Sequence, residues 1–329
     1  MKVIRKNISE IDNRERREID KLIENNCGLI FHEIEFNKIV SESFNTELSY
    51  FIAYNNFNKI IGICPLHTIK KGLVKLTYSN PTIFEVPYGG WVFDKSEVSI
   101  YELIKQMKIG FNESLIYWSN IQIEEDIYKD NILKIFPHQT AIVDLSLEED
   151  TIWKNIIHSK RRNMIRKALK SGINIKSYGV EGFDLYYPLM IDMHNKIGLK
   201  SKPNNFYRNA LDIYFKKKQT IIFLAEKDNE TISGIILIGN KNVMHYWQGA
   251  SKKGVPNLGQ GELLQWEAIK WAKKSGSQYY DLCVVEPERL PYIARFKLSF
   301  SKNIVPFYHF SKKPITYRVL SRMQRCFIR

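Results

Sequence analysis

One segment of this sequence is written twice. Phe51-Ile-Ala-Tyr-Asn-Asn-Phe-Asn-Lys-Ile-Ile-Gly-Ile63 lies without a gap on Phe223-Leu-Ala-Glu-Lys-Asp-Asn-Glu-Thr-Ile-Ser-Gly-Ile235. Phe, Ala, Ile, Gly and Ile coincide, 172 positions apart. Each copy reads as strand, polar turn, strand, which is a β-hairpin. A repeat offset by about half of 329 residues constrains the chain to two copies of one domain. The polar stretch Leu147-Glu-Glu-Asp150, after an apolar strand over 140–145, marks the junction. The expected domains are 1–147 and 148–310, followed by a basic amphipathic tail over 311–329. An apolar fraction of 44% supplies enough material for two cores and excludes a disordered chain.

The second half parses more readily. Apolar residues at Trp153, Ile156, Ile157, Met164, Ile165 and Leu169 predict one basic helix over 153–170, stopped by Ser171-Gly172. A second helix is expected over 184–197, and strands over 220–226, 231–238 and 243–250. The loop Gly254-Val-Pro-Asn-Leu-Gly-Gln-Gly261 opens a helix over 262–274. A strand at 279–284, a helix at 290–299 and a strand near 304–310 complete the order. No apolar run approaches the roughly 20 residues that span a bilayer, and no secretory leader is visible. Four scattered cysteines with no C-x-x-C pair argue against a zinc module or a disulfide scaffold, suit a reducing cytoplasm, and predict no metal.

The net charge of +14 is uneven. Residues 151–180 hold eight bases and no acid, and residues 289–329 hold ten bases and no acid. Those two segments carry +18, so the rest of the chain sums to −4. Such surfaces attract RNA, anionic lipid or diphosphate groups. Arg161, Arg162, Arg166 and Lys167 are the candidate polyanion contacts. The tail over 317–329 alternates bases with Val319, Leu320, Met323, Phe327 and Ile328. That is the pattern of a helix lying on an anionic bilayer, and equally of one docked on its own domain. Leu258-Gly259-Gln260-Gly261, at a helix start, is backbone that can wrap a diphosphate.

The element order and a set of motifs resemble the Fem-like branch of the tandem-GNAT acyltransferases. The motifs are Arg161-Arg-Asn-Met-Ile-Arg-Lys-Ala168, His245-Tyr-Trp-Gln-Gly-Ala-Ser251, Leu263-Leu-Gln-Trp-Glu-Ala-Ile269, Tyr280-Asp281, and Phe296-Lys297 with Phe300. In the first half Phe31-His-Glu-Ile-Glu-Phe36 and Pro87-Tyr-Gly-Gly-Trp-Val-Phe-Asp94 add to the set. The resemblance implies an α/β fold of tandem GNAT-like (acyl-CoA N-acyltransferase) domains, with mixed twisted sheets and a cleft between them. It also implies transfer of an acyl group from acyl-CoA to an amine on a small molecule, an amino sugar or a cell-envelope precursor. Two alternatives stand beside it: a Fem-like aminoacyl-tRNA donor, and a non-catalytic RNA- or membrane-binding protein on the same scaffold. DNA is not an expected partner. The implied place is the cytoplasm, with the inner face of the membrane as an alternative station.

Direct attack of an amine on a thioester needs a base, stabilisation of the developing oxyanion and little else. Asp281 at a strand end and His245 on the central strand are the candidate bases. Cys283 reads as a buried strand residue rather than a nucleophile, and no G-x-S-x-G elbow occurs. By resemblance, Lys297 stands near substrate phosphates, Leu258, Gly259, Gln260 and Gly261 hold the donor, and Asp94, Tyr88, Trp247 and Gln248 face the acceptor.

Overall fold

The structure, a computed structural model, describes residues 1–79, 82–121, 135–196 and 198–312. It divides into two compact units, Met1–His138 with Pro306–Arg329, and Gln139–Val305. The tail expected over 311–329 lies, from residue 313 onward, outside the described residues. Among the described residues no helix is long and apolar enough to cross a membrane.

The first unit begins with β1 (Lys2–Asn7), α1 (Asn13–Asn25), α2 (Ile34–Phe44), β2 (Glu47–Tyr54), β3 (Ile60–Lys71) and β4 (Val74–Ser79). It continues with β5 (Val92–Phe93), α3 (Ile100–Gln106) and β6 (Glu113–Trp118). Next along the chain are β7 (Ile135–Asp144), α4 (Glu149–Thr151), α5 (Ser159–Lys170), β8 (Asn174–Tyr178), α6 (Phe183–Lys196) and α7 (Asn204–Phe215). Then follow β9 (Thr220–Lys227), β10 (Glu230–Gly239), β11 (Val243–Ser251), α8 (Gln260–Lys274), β12 (Tyr279–Val285), α9 (Pro291–Leu298) and β13 (Asn303–Lys312).

The duplication is visible in the sheets. In the first unit the order is β1-β2-β3-β4-β6-β13, in the second β8-β9-β10-β11-β12-β7. In both, every neighbouring pair is antiparallel except the fourth with the fifth. The sixth strand is exchanged between copies. The chain leaving β6 supplies β7 to the second unit's sheet, and the chain leaving α9 supplies β13 to the first. The division therefore falls near residue 138, and the strand over 140–145, read from sequence with the first domain, pairs with β12. Covalent order alone favours keeping a strand with the domain before it; the ladder it joins is a tertiary choice.

The repeated hairpins are β2–β3 and β9–β10, and they differ in detail. Ala53 pairs with Gly62, whereas in the second copy Leu224 pairs with Gly234 and Ala225 with Ser233. The register is one residue apart because five residues separate β2 from β3 and only Asp228-Asn229 separate β9 from β10. Those two residues have φ of +53° and +64°, the double left-handed geometry of a tight hairpin turn.

The helix expected over 153–170 is broken. A π-helical turn over Ile152–Ile156 ends before His158, whose side chain caps α5 by accepting from the Lys160 N–H at 3.2 Å. Arg162 Nη1 donates to the carbonyls of Trp153, Lys154 and Ile157, which closes the break. Helix α7 was not read from the sequence, although Phe206, Tyr207, Ala210, Leu211 and Tyr214 form its buried stripe. The second unit's core packs Ile165 and Ala168 of α5 and Leu264, Ala268 and Ala272 of α8 against Phe223, Leu237, Met244 and Tyr280 of the sheet.

In the first unit His67 is fully buried. Its Nδ1 meets the Thr46 hydroxyl and its Nε2 the Asn37 Oδ1, each at 2.9 Å. Burial pushes its pKa down to about 3. The unfolded chain takes up this proton near pH 6.5 and the folded one does not, so the stability is fully present above pH 6.5. It is lost as pH falls toward 3, at about 1.4 kcal/mol per pH unit. Thermal melts should show a steeper fall between pH 6.5 and 4.5 for the native protein than for His67→Gln. Equal slopes would show that His67 does not set the acid limb.

Candidate active site

Two strands of the second unit part company. β11 and β12 pair in parallel only from Val243–Tyr279 to His245–Asp281. Past that point both strands are irregular. The β10–β11 register shifts between Ile236 and Leu237, opposite Trp247, and the β12–β7 register shifts between Asp281 and Val284, where Cys283 takes φ +59°. Bulges of this kind re-aim strands and end pairing. The corresponding pair in the first unit, β4 with β6, holds register for five residues.

A cavity of about 750 Å³ lies on the freed part of β11. Its wall includes Tyr246 and Gly249 of β11, residues of the 252–257 loop, and Gln260, Gly261 and Glu262, together with Arg161, Phe296 and Asp192 of α6. The first turn of α8 thus forms one wall, and its N–H groups have no acceptor four residues back. Gly259, with φ +95°, caps this helix; a Cβ there would stand 2.1 Å from the Met164 carbonyl oxygen of α5. Gly261 is different: a Cβ would meet only the Phe296 ring, at 3.9 Å.

The loop before α8 satisfies its own backbone. Gln260 accepts from the Leu258 N–H at 2.9 Å and donates to the Pro256 carbonyl at 3.2 Å. Asn257 accepts from the Gly259 N–H at 3.0 Å, and Lys167 donates to the Asn257 carbonyl at 3.1 Å. Glu262 stands in the first helical turn, where a carboxylate would repel an anionic ligand. Arg161 neutralises it through Nη1–Oε1 at 2.7 Å, donates from Nε to Ser299 Oγ at 2.7 Å, and lies over Phe296. The N-terminus of α8 therefore keeps its attraction for anions. Of the four candidate polyanion contacts, Arg161 lines the cavity and Arg162 closes the break before α5. Arg166 and Lys167 are exposed on α5, Arg166 over the Trp153 ring.

His245 and Asp281 come together, as adjacent strands in parallel register allow. Nδ1 of His245 meets Asp281 Oδ2 at 2.8 Å, and both are fully buried. Thr140 of β7 donates to Asp281 Oδ1 at 2.5 Å and the Cys283 N–H at 2.9 Å, so the carboxylate also shapes the bulge. Neither residue lines the cavity. The donor atoms of His245, Asp281 and Cys283 lie within 4.8 Å of one another, so a cation could be held there. The Cys283 thiol, however, donates to the same Asp281 oxygen that faces His245. Lys297 bridges the parted strands: Nζ donates to the Val284 carbonyl of β12 at 3.0 Å and lies 5.7 Å from the centre of the Tyr246 ring of β11. Burial pushes its ammonium below the usual lysine range.

Of the four acceptor candidates, two belong to each unit. Tyr88 is buried against Phe307 and Phe31, and Asp94 accepts from the Ser96 N–H and hydroxyl in a turn, both in the first unit. Trp247 packs against Phe206 and Tyr207 of α7, and Gln248 is half-buried beside it. Sequence reasoning missed Tyr246, Glu262 and Asp192. Tyr246 sits inside a quoted motif, and strand alternation puts it on the face opposite His245 and Trp247.

Residues 159–295 match the Acetyltransferase (GNAT) domain family. The fold is similar to that of FemX, with TM-score 0.66 at 14% identity over 94% of this chain and 97% of that one. It is also similar to the C-terminal domain of a lysylphosphatidylglycerol synthetase from Agrobacterium fabrum, with TM-score 0.57 at 12% identity over 92% and 95%. A third is a tandem GNAT protein from the clavulanic acid biosynthesis pathway, with TM-score 0.53 at 8% identity over 95% and 99%. No curated protein matches the sequence. The second unit is thus a GNAT domain, and the protein is an acyltransferase. More particularly, its fold is the Fem-like tandem-GNAT fold.

The Arg161–Glu262 pair generates a stability prediction. With side chains 17% and 4% exposed, removing the arginine strands a buried carboxylate. Arg161→Ala should cost about 3–5 kcal/mol in denaturant unfolding. Adding Glu262→Gln should recover a large part of it; a fully additive double variant would exclude the pairing.

Proposed function

We propose that the protein is an N-acyltransferase that takes its acyl group from acyl-CoA and transfers it, by direct attack, to an amine. The observation that carries this reading is the cavity where β11 and β12 part, walled by the first turn of α8. The N–H groups of Gln260, Gly261 and Glu262 would hold the diphosphate, with Arg161 removing the competing charge of Glu262. The β11 edge beyond His245, released by β12, offers backbone donors and acceptors to an extended amide chain. A thioester donor supplies the acyl group and a thiolate leaving group. Asp281 holds the Nδ1–H of His245, which leaves Nε2 as the accepting nitrogen of the ring; both residues are buried outside the cavity lining, so the amine's proton would reach Nε2 through an intervening water. Lys297 places positive charge at the parting of the strands. Asp192, a carboxylate in the cavity lining, suits the ammonium of an acceptor. The acceptor class is a small-molecule, amino-sugar or lipid-linked amine, which a cytoplasmic enzyme would meet in solution or at the membrane face.

A second reading, an aminoacyl-tRNA donor, is favoured by a separate observation. Lys160, Arg166, Lys167 and Lys170 of α5 are exposed, within a 30-residue stretch that holds no acid. Phosphate neutralisation by such a surface would make binding steeply salt-dependent. The fold likeness to FemX and to a lysylphosphatidylglycerol synthetase domain accords with it.

Titrating coenzyme A and tRNA at low and moderate salt separates the two. Coenzyme A should bind at micromolar concentration with little salt dependence, and Gly261→Asp should abolish that binding while leaving the melting temperature within a few degrees. Tight tRNA binding with a steep salt slope, and none of coenzyme A, would reverse the assignment. Asp281→Asn, His245→Ala and Lys297→Ala should each lower turnover by about 10²-fold or more. Unchanged turnover in all three would place the chemistry elsewhere.

A further inference from the structure

We propose that two linked turns at one end of the first unit's sheet, carrying Leu73 and Phe111, form a docking surface for an anionic lipid bilayer. The proposal depends neither on the acyl-transfer reading above nor on the chain beyond residue 312.

The turns meet where β3 ends and where the parallel strands β4 and β6 begin. Gly72-Leu73 close the β3–β4 hairpin beyond the pair Lys71–Val74. Gly72 takes φ +60° while Leu73 stays out of the left-handed region, the combination of a II′ turn. The second turn runs from Gly110 to Glu113, whose N–H donates to the Gly110 carbonyl at 3.2 Å. The two are tied together: Asn112 Nδ2 donates to the Leu73 carbonyl at 2.6 Å, and the Lys75 N–H to the Asn112 carbonyl at 3.1 Å. Turn tips favour Gly, Asn, Asp and Ser. Here Leu73 is 90% exposed and Phe111 78%. A Cβ added at Gly72 would meet nothing within 4 Å, so this tip stands clear of the unit's body. Two large apolar side chains held in water on linked turns bury little for the fold, and they mark a contact surface.

The charge around them selects the partner. Lys70 and Lys71 at the end of β3 and Lys108 before the second turn are exposed, and Lys75 is half-buried at the start of β4. Residues 48–84 and 103–112 contain no acid. Glu113, which begins β6, is buried and meets Arg5 at 2.6 Å, and Glu47, which begins β2, lies 4.0 Å from Lys70. Apolar tips on a basic surface suit a bilayer with anionic headgroups: the lysines are drawn to lipid phosphates while Leu73 and Phe111 enter the acyl boundary. Nucleic acid would engage the lysines but offers no apolar phase to an aliphatic side chain. Phe57 supplies the contrast. It is 91% exposed in the turn at the other end of β3, but Glu97 accepts from Asn55 there at 3.2 Å and pairs with Lys59 at 3.3 Å, and Asp94 lies 3.9 Å from the same lysine. An aromatic beside two carboxylates is not drawn to an anionic membrane.

The test is flotation of the full chain with vesicles of phosphatidylcholine alone and of phosphatidylcholine with about a third phosphatidylglycerol. The native protein should bind the anionic vesicles about ten-fold or more better than the neutral ones, and high salt should weaken that binding. Combining Leu73→Asp with Phe111→Asp should reduce it by about ten-fold or more, and Lys71→Gln with Lys108→Gln by about ten-fold. Phe57→Asp should leave it unchanged. All these side chains are exposed, so every variant should keep the native melting temperature. Phe111→Trp should add tryptophan fluorescence that lipids brominated on their acyl chains quench. Vesicle binding that is absent, equal on both vesicle types, or intact in the Leu73→Asp, Phe111→Asp variant would overturn the proposal. So would self-association abolished by that same pair, or tRNA held by these lysines without vesicle binding. Vesicle binding is read without substrate, so a protein that floats yet consumes no acetyl-CoA would overturn the acyl-transfer reading and leave this one standing.

Discussion

The approach of α5 to the start of α8 is the contact on which the second unit depends. Gly259 brings the helix terminus so close to the Met164 carbonyl that no β-carbon fits between them. Arg161, one turn earlier on α5, reaches Glu262 and neutralises it inside the wall of the cavity. Ser299 and Phe296, at the end of α9, fix the other side of the same guanidinium. Three helices are thus registered on one charged group. The helix terminus they hold in place is also the surface on which an anionic donor would sit. Stability and binding share these atoms, which is why a basic residue that looks like a free polyanion contact in the sequence is instead a structural clamp.

The two copies of the domain have diverged at the same place in the sheet. Both carry five strands in one order, to which the first unit adds the two-residue β5 against β3, and both receive a further strand from the other copy's chain. In the first unit the parallel β4–β6 pair stays in register. In the second, the Asp281 carboxylate accepts the Cys283 N–H, drives a bulge and ends the pairing after three residues. A single buried side chain bonding its own backbone can convert a continuous sheet into an open one. On this view Asp281 does more for the shape of the site than its place on a strand end suggests.

Much of the second unit was legible in the residues. Repeat spacing identified the duplication, helical periodicity located α8, and glycines flagged the loop before it. His245 and Asp281 could be singled out by residue type, and parallel register then brought them together. What escaped was the partnering. Tyr246 is one of 18 tyrosines, and nothing in its neighbours along the chain says that residue 249 lies under its hydroxyl. The packing of Tyr88 on Phe307, the turn bonds of Asp94 and the packing of Trp247 on Tyr207 are likewise contacts that the sequence does not announce.

By itself the sequence determined the local and periodic features: two copies, the order of helices and strands, the charge-rich segments, and the glycine-bearing helix start. These follow from interactions within a few residues, where propensity and pattern act directly. The tertiary structure alone decided which strand completed which sheet, where β11 and β12 separate, and which arginine is bound and which exposed. Each of those outcomes is a competition among partners distant in the chain, settled by close packing and by the cost of leaving a buried polar group unsatisfied. No window of sequence contains both competitors.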